Sequence, residues 1–197
     1  MRRSVGAVGA VGAVMAAAVA LAVPAGPAAA QRAPGITAAA PSHCVLQASR
    51  TGAQPPAPAC FASFRTAIAW ATGGRVTDAP ESAGHAATDQ RFAARLAGVR
   101  SAGRAVVGID YADAGYRGGA LTLTAPSGCD NDIDVDWQFP ALPARWNDRI
   151  SSFRSYSNCL QQLFRHGSFG TAITPKRGSS PWVGSAANDQ ASSIRFY

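Results

Sequence analysis

The spacing of apolar residues along the chain changes once, near residue 104. Before that point, apolar side chains recur every three or four positions in two stretches, which predicts two short amphipathic helices. Their apolar positions are Phe61, Phe64, Ile68 and Ala71 in the first stretch, and Phe92, Leu96 and Val99 in the second. After that point, short runs alternate between apolar and polar residues, as strands with one buried face do.

The residues that flank the two helices predict where each one ends. Gly73-Gly74 follows the first stretch and predicts its C-terminus. Thr88 precedes the second stretch, and its hydroxyl can cap the first turn. Arg75–Ala87 lies between them as a polar linker, and Cys44–Gln47 predicts a short strand. A segment with such narrow apolar faces buries little surface by itself, so we expect it to pack on the rest of the chain.

The second half of the chain predicts an antiparallel β-sandwich. Val107, Ile109 and Tyr111 alternate with Val106, Gly108 and Asp110, and similar alternation returns at 121–124 and 160–164. Turns rich in Gly, Asp and Pro separate these runs, which is typical of all-β sandwiches. The predicted fold class is therefore mainly β, with a small two-helix segment in front.

The N-terminus has the pattern of a secretory signal peptide. Arg2 and Arg3 precede an uncharged apolar run that Pro24 and Pro27 interrupt, and Ala28–Ala30 supplies the small residues of a cleavage site. A retained membrane anchor is the alternative, but no second apolar span follows. We therefore predict a signal peptide at 1–30, a disordered linker at 31–42, a small helical accessory segment at 43–103 and a β domain at 104–197. The mature protein is expected to be secreted and extracellular, with no membrane contact.

The charge of the chain argues against a nucleic-acid partner. The formal net charge is +7 at pH 7, and it falls to +5 when the two arginines of the signal peptide are removed. The remaining cations are scattered, whereas nucleic-acid binding needs clustered charge with interleaved aromatic residues.

Four cysteines are expected to form disulfides outside the cell. Four cysteines allow three connectivities, and the sequence alone does not choose among them. We predict local pairing, Cys44 with Cys60 and Cys129 with Cys159, because each bridge then closes its own segment. A zinc site is the alternative, but the chain has no Cys-x-x-Cys, and its three histidines are far apart in sequence.

One short polar string occurs twice. Asn147-Asp-Arg-Ile-Ser-Ser152 returns 41 residues later as Asn188-Asp-Gln-Ala-Ser-Ser193. A repeat at a fixed spacing indicates one supersecondary unit used twice. Its amide, carboxylate and hydroxyl oxygens are the ligands that Ca²⁺ takes.

The repeated strings and their neighbours resemble the βγ-crystallin family. Tyr111-Ala-Asp-Ala-Gly-Tyr-Arg-Gly118 resembles the hairpin that opens each Greek-key motif of that family, and the two strings resemble the Ca²⁺ motif of its microbial members. Phe164–Thr171 resembles a second opening hairpin, except that Thr171 stands where the first has Gly118, so a looser turn is expected there. The resemblance covers about 104–197 and implies two Greek keys.

The resemblance also implies how each metal ion would be held. One string supplies a hydroxyl and a backbone carbonyl, the opposite string supplies a side-chain oxygen, and a further carbonyl comes from a hairpin near Asp113 or His166. The implied site residues are Asn147, Asp148, Arg149, Ser151, Asn188, Asp189, Gln190 and Ser192. The last serine of each string, Ser152 or Ser193, is expected to hold the turn rather than the metal.

A simpler interpretation of the strings is that they are ordinary turns, because Asn, Asp and Ser are common turn formers. Two full copies favour Ca²⁺ binding, and one carboxylate per string predicts weak affinity, about 10⁻⁴–10⁻³ M. The run from Asp130 to Asp136 lacks the Gly and Glu of an EF-hand loop, since Val135 and Ala141 occupy those positions, and is expected to be a solvated acidic loop.

No catalytic motif is present in the sequence, so we predict a non-enzymatic monomer whose cofactor is Ca²⁺. The family fold also occurs in secreted metalloproteinase inhibitors and antifungal toxin-like proteins. An extracellular protease is therefore the alternative partner, with Pro175–Trp182 as the loop that would enter its cleft.

Overall fold

The computed structural model describes residues 42–48, 55–99 and 104–197. The predicted signal peptide and nearly all of the predicted linker lie outside the described residues. In chain order the elements are β1 (His43–Gln47), β2 (Ala59–Phe61), α1 (Phe64–Ala71), α2 (Ala83–Thr88), α3 (Gln90–Gly98), β3 (Ala105–Asp113), β4 (Arg117–Ala125), β5 (Trp137–Phe139), β6 (Ser152–Ser155), β7 (Gln161–Phe164), β8 (Ser179–Ser180) and β9 (Ser193–Phe196). A 3₁₀ turn lies at Gly167–Phe169.

The strands form two sheets, and each repeat contributes strands to both of them. The six-stranded sheet has the order β2-β1-β4-β3-β6-β8, and the three-stranded sheet has the order β5-β9-β7. Strand β5 from the first repeat pairs with β9, whereas β8 from the second repeat pairs with β6. This reciprocal exchange of the third strand is the arrangement of two interlocked Greek keys. It confirms the predicted two-Greek-key sandwich.

The N-terminal segment adds strands as well as helices. Strand β1 confirms the short strand expected at Cys44–Gln47, and it pairs in parallel with β4. Strands β3 to β9 pair with one another in antiparallel fashion, as predicted for the second half of the chain. Strand β2 then pairs with β1 and forms one edge of the six-stranded sheet. The proposed domain boundary at residue 104 stays a prediction.

Two hydrophobic clusters lie on opposite faces of the six-stranded sheet. The first fills the space between the sheets and includes Phe139, Phe153, Leu163, Ile194 and Phe196. The second lies between the sheet and the helices and includes Phe64, Phe92, Ile109, Tyr111 and Tyr156. The helical segment therefore packs on the β-sandwich, as expected.

A β-bulge in β3 changes which of its side chains lie on each face of the sheet. The register against β4 shifts between Val106 and Gly108. Val107 consequently packs between the two sheets, whereas Val106, Ile109 and Tyr111 face the helices. The predicted alternation placed Val107 with Ile109 and was wrong at this position, because a bulge inserts one residue without changing the surrounding pattern.

Helix α1 follows its predicted apolar stripe from Phe64 onward. The placement of Phe61 on the same helix was wrong, because Phe61 ends strand β2 and the helix begins only after the cap at Ser63. Phe64, Ile68 and Ala71 are fully buried, and the Ser63 side chain accepts a hydrogen bond from the Thr66 amide. Gly73 and Gly74 have φ of 61° and 80°, so the predicted C-terminus is confirmed.

The region after α1 holds two helices where the sequence predicted one. Residues 83–87 of the predicted polar linker form most of α2, which is short and rich in alanine. The predicted cap of the next helix was wrong. Thr88 ends α2, with its hydroxyl donating to the His85 carbonyl, and Asp89 caps α3 by accepting from the amides of Arg91 and Phe92.

Both predicted disulfides are present. Cys44 pairs with Cys60, with 4.0 Å between the Cα atoms, and Cys129 pairs with Cys159, with 5.0 Å between them. The first joins β1 to β2, and the second joins the acidic loop to the turn before β7. None of the α-helices in the described ranges is long and apolar enough to cross a bilayer.

Candidate metal centre

The two strings form turns of the same shape. Asp148 and Asp189 both have left-handed backbone conformations, with φ of 55° and 53°. Asn and Asp adopt this region more readily than most residues because their short polar side chains bond locally. Each turn leads into the last strand of its Greek key, β6 or β9.

The two turns lie against each other and exchange backbone hydrogen bonds. The Asp148 amide donates to the Ala191 carbonyl at 3.0 Å, and the Asp189 amide donates to the Ile150 carbonyl at 3.2 Å. The two strings are therefore neighbours in space, and each occupies the equivalent position relative to the other.

The side chains of the strings cross from one turn to the other. Asp189 Oδ1 lies 3.4 Å from Ser151 Oγ, and Asp148 Oδ1 lies 3.4 Å from Ser192 Oγ. Each carboxylate therefore approaches the hydroxyl of the opposite string rather than that of its own. The structure brings together both Asp–Ser pairs that the sequence singled out.

The two asparagines orient the neighbouring carboxylates. Asn147 Nδ2 donates to Asp148 Oδ2, and Asn188 Nδ2 donates to Asp189 Oδ2, each at 2.7 Å. The second oxygen of each carboxylate is thereby held within its own turn, and the first is left for the opposite string.

Several oxygens of the turns have no hydrogen-bond donor. The backbone carbonyls of Arg149 and Gln190 accept no hydrogen bond from any described residue. Asn188 Oδ1 is buried and also lacks a donor. A buried acceptor without a partner is unfavourable, and a hard cation satisfies such oxygens. The donor set therefore fits Ca²⁺.

The last serine of each string, which was expected to hold its own turn, bonds the opening hairpin instead. Ser152 Oγ donates to the Asp113 carbonyl at 2.7 Å and accepts from the Tyr116 amide at 3.0 Å. Ser193 Oγ donates to the His166 carbonyl at 2.6 Å and accepts from the Phe169 amide at 3.1 Å. Because each hydroxyl both donates and accepts a hydrogen bond, it links the opening hairpin to the string of the same repeat.

The hairpins themselves are folded alike. Tyr111 packs edge-on against Tyr116 with ring centroids 5.4 Å apart, and Phe164 packs likewise against Phe169 at 5.8 Å. Thr171 has φ of 54° and so adopts the left-handed conformation of Gly118. The looser turn expected at Thr171 is not seen.

Arg165 is a feature of the site that sequence reasoning missed. Its guanidinium donates to Gln190 Oε1 at 3.0 Å and to the Ala186 carbonyl at 3.1 Å. It therefore places a positive charge beside the second string. When the two hairpins are aligned, Arg165 corresponds to Ala112. This difference between the repeats could have identified Arg165 from the sequence.

Other potential metal sites find less support among the described residues. No three His, Cys, Asp or Glu side chains in the described ranges are grouped so that they could hold a metal, and all four cysteines are in disulfides. The loop from Asp130 to Asp136 is a series of Asx turns, in which Asp132 and Asp134 amides bond the aspartate two residues earlier. Asp136 is only partly exposed, whereas the loop residues before it are exposed. Its partial burial raises the pKa of its carboxyl group.

The segment proposed to enter a protease cleft is largely bonded to the sandwich. Within Pro175–Trp182, Ser179–Ser180 forms β8, and the Gly178 carbonyl accepts from the Ser155 amide. Trp182 remains about half exposed. An inhibitory role for this segment stays a prediction.

Comparisons with known proteins return solved βγ-crystallin structures. A βγ-crystallin domain from Clostridium beijerinckii is 24% identical, covering 46% of this chain and 97% of its own, with a TM-score of 0.35. A βγ-crystallin from an archaeon (22%, 47% and 98%, 0.35) and a domain from Flavobacterium johnsoniae (26%, 46% and 93%, 0.34) are similar in the same way. No family model and no curated protein matches the chain. At these TM-scores the matches add nothing to the strand order, which by itself defines the two-Greek-key sandwich.

Proposed function

We propose that this chain is a non-enzymatic Ca²⁺-binding protein whose metal ions are each shared between the two repeated turns. The observation that carries the proposal is the crossed arrangement of Asp148 with Ser192 and of Asp189 with Ser151, each at 3.4 Å. A contact at that distance is long for a hydrogen bond to a hydroxyl. It brings two oxygens from different repeats together, which is what a bridging cation needs.

Each of two metal ions would take a hydroxyl and a carbonyl from one string and a side-chain oxygen from the other. Asp148 and Asp189 supply negative charge, Ser151 and Ser192 supply hydroxyls, and Arg149 and Gln190 supply backbone carbonyls. Asn147 and Asn188 orient the carboxylates and offer amide oxygens. Water and a hairpin carbonyl near Asp113 or His166 complete the six to eight oxygens that Ca²⁺ prefers.

Binding at this place would stabilise the fold. Ca²⁺ supplies positive charge between turns that belong to different Greek keys, so it binds the folded chain and not the unfolded one. By linkage, 10 mM Ca²⁺ adds about 1.4 kcal/mol to the free energy of unfolding for each bound ion if the dissociation constant is about 1 mM.

Calcium-dependent thermal unfolding tests the proposal. The mature protein should melt at a higher temperature in 10 mM CaCl₂ than in EDTA, and calorimetric titration should give a dissociation constant of about 10⁻⁴–10⁻³ M. The double variant Asp148→Ala with Asp189→Ala should lose both responses.

The acidic loop provides a matched control. The double variant Asp132→Ala with Asp134→Ala removes the same charge from exposed positions and should keep the calcium response. The proposal is wrong if the wild-type protein shows no calcium-dependent shift, or if only the loop variant loses it.

The place of action is part of the same proposal. Two disulfides are expected in an oxidising compartment, and extracellular calcium is high enough to fill weak sites. We therefore expect the chain to act outside the cell as a monomer.

A further inference from the structure

A carboxyl group lies in the interior of the β-sandwich. Asp110 belongs to β3 of the six-stranded sheet, and Gln161 belongs to β7 of the three-stranded sheet; both have no exposed surface. Gln161 Nε2 donates to Asp110 Oδ1 at 2.5 Å. This hydrogen bond crosses the sandwich and links strands from the two Greek keys.

The second oxygens of the same two groups are left without partners. Asp110 Oδ2 and Gln161 Oε1 are both buried and neither has a hydrogen bond. Both atoms are acceptors when the carboxyl is ionised, so they cannot satisfy each other. A proton on Oδ2 changes this, because the acid O–H then donates to the Gln161 carbonyl while the amide N–H donates to the acid carbonyl.

Among the described residues, no charged group near Asp110 favours its ionised form. Its cross-strand partners are Leu121 on β4 and Phe153 on β6. On the β7 and β9 side, Gln161 Oε1 and the Phe196 ring lie so close to Gly108 that a Cβ there would meet them at 2.9 and 2.7 Å. These neighbours are uncharged.

The titratable groups of the adjoining elements lie elsewhere. Tyr111, next along β3, is buried on the helix side of the sheet and stays protonated, since burial raises its pKa. The Arg154 guanidinium of β6 donates to the Ala87 carbonyl on that same side. The Arg195 guanidinium of β9 lies over the rings of Phe164 and Phe169.

We propose that Asp110 keeps its proton in the folded protein and forms a two-point acid–amide pair with Gln161, which joins the two sheets and makes the fold sensitive to pH. One proton completes two hydrogen bonds and leaves neither oxygen unpaired. Burial supports this, since it raises the pKa of Asp110 from 3.8 to about 7, and the Gln161 hydrogen bond opposes it only in part.

The direction of the pH effect follows from this raised pKa. Between about pH 4 and pH 7 the folded chain retains a proton that the unfolded chain releases. The contribution of Asp110 to stability is thus fully present below about pH 4 and is lost as the pH rises to about 7. Across this window the unfolding equilibrium constant should rise by up to about a thousandfold.

Asp110→Asn tests the pair with almost no change in shape. The Asn amide donates permanently to Gln161 Oε1, so the variant should lose this pH-dependent component and be more stable than wild type at pH 8. Urea unfolding between pH 4 and pH 8, in EDTA so that bound metal does not contribute, measures both effects. Asp134→Asn, in the exposed acidic loop, should keep the wild-type slope.

A direct measurement on the wild-type chain does not depend on any variant folding. The ¹³C resonance of the Asp110 carboxyl should titrate near pH 7, and the infrared band of a protonated carboxylic acid should be present at pH 5.5. A carboxyl that titrates below pH 5 in the folded protein would overturn the proposal, as would an Asp110→Asn variant that keeps the full wild-type slope.

Discussion

The left-handed residues of the hairpins show how two repeats reach one conformation with different side chains. Gly118 and Thr171 have φ of 76° and 54° at equivalent places. For an L-residue this region costs about 1–2 kcal/mol, and a β-branched residue is rare there. The fold therefore imposes the turn at Thr171, whose carbonyl accepts a hydrogen bond from the Arg165 amide at 2.9 Å.

Replacing Thr171 by Gly should stabilise the protein. The glycine removes the backbone strain but adds freedom to the unfolded chain, so we expect a net gain of about 1 kcal/mol in the free energy of unfolding. Gly118→Ala should act in the opposite sense, because its Cβ would lie 2.5 Å from Asp113 Oδ2. Chemical denaturation of both variants measures the effects, and a destabilised Thr171→Gly would show that the threonine is not strained.

Among the elements, helix α3 depends on a cap that the sequence pattern placed one residue too early. Asp89 follows α2 directly, and its carboxylate accepts the first amides of α3. The hydrogen bond from the Phe92 amide lowers the pKa of Asp89, because it favours the ionised carboxylate.

Asp89→Ala should destabilise the protein more than Thr88→Ala. The first change leaves the amides of Arg91 and Phe92 without a side-chain acceptor, whereas the Thr88 hydroxyl only donates to a helical carbonyl. The Asp89 contribution should be lost as the pH falls through its lowered pKa, and Asp89→Asn should be less sensitive to that fall. Melting temperatures at pH 7 and pH 3 compare the three variants, and equal losses at residues 88 and 89 would contradict the assignment.

Considered as one molecule, the helices and the sandwich share buried surface. Phe92 of α3 has no exposed area and contacts the rings of Phe64 in α1 and Tyr156 after β6. Helices, sheet and strings are therefore expected to unfold together.

Phe92→Ala tests this coupling. The change should lower the free energy of unfolding by about 3–5 kcal/mol and should shift helical and sandwich signals equally. Trp70 in α1 and Trp146 near the first string provide separate fluorescence probes when each is kept alone. Arg91→Ala, on the exposed face of α3, should change stability by less than about 0.5 kcal/mol. Two separate transitions would show that the helical segment is an independent unit.

Much of the architecture could be predicted because it depends on patterns within short stretches of sequence. The stripe of α1 and its Gly73-Gly74 ending, the alternation of β3 and the two strings all depend on residues within a turn or two of each other. The bulge at Val107 and the helix α2 were missed, since each depends on packing that leaves little local pattern. The cap at Asp89 is a local contact, and it was missed because the adjacent Thr88 is also a possible cap.

The sequence by itself determined the two equivalent turns and most of the elements around them, because these follow from backbone preferences and short-range spacing. The structure decided which of the three possible disulfide pairings is formed. Only the tertiary structure decided that Asp148 meets Ser192, that β5 and β8 change sheets, and that Asp110 faces Gln161. These contacts join residues far apart in the chain, and their partners are selected by strand register and by the packing of two sheets, which no local pattern encodes.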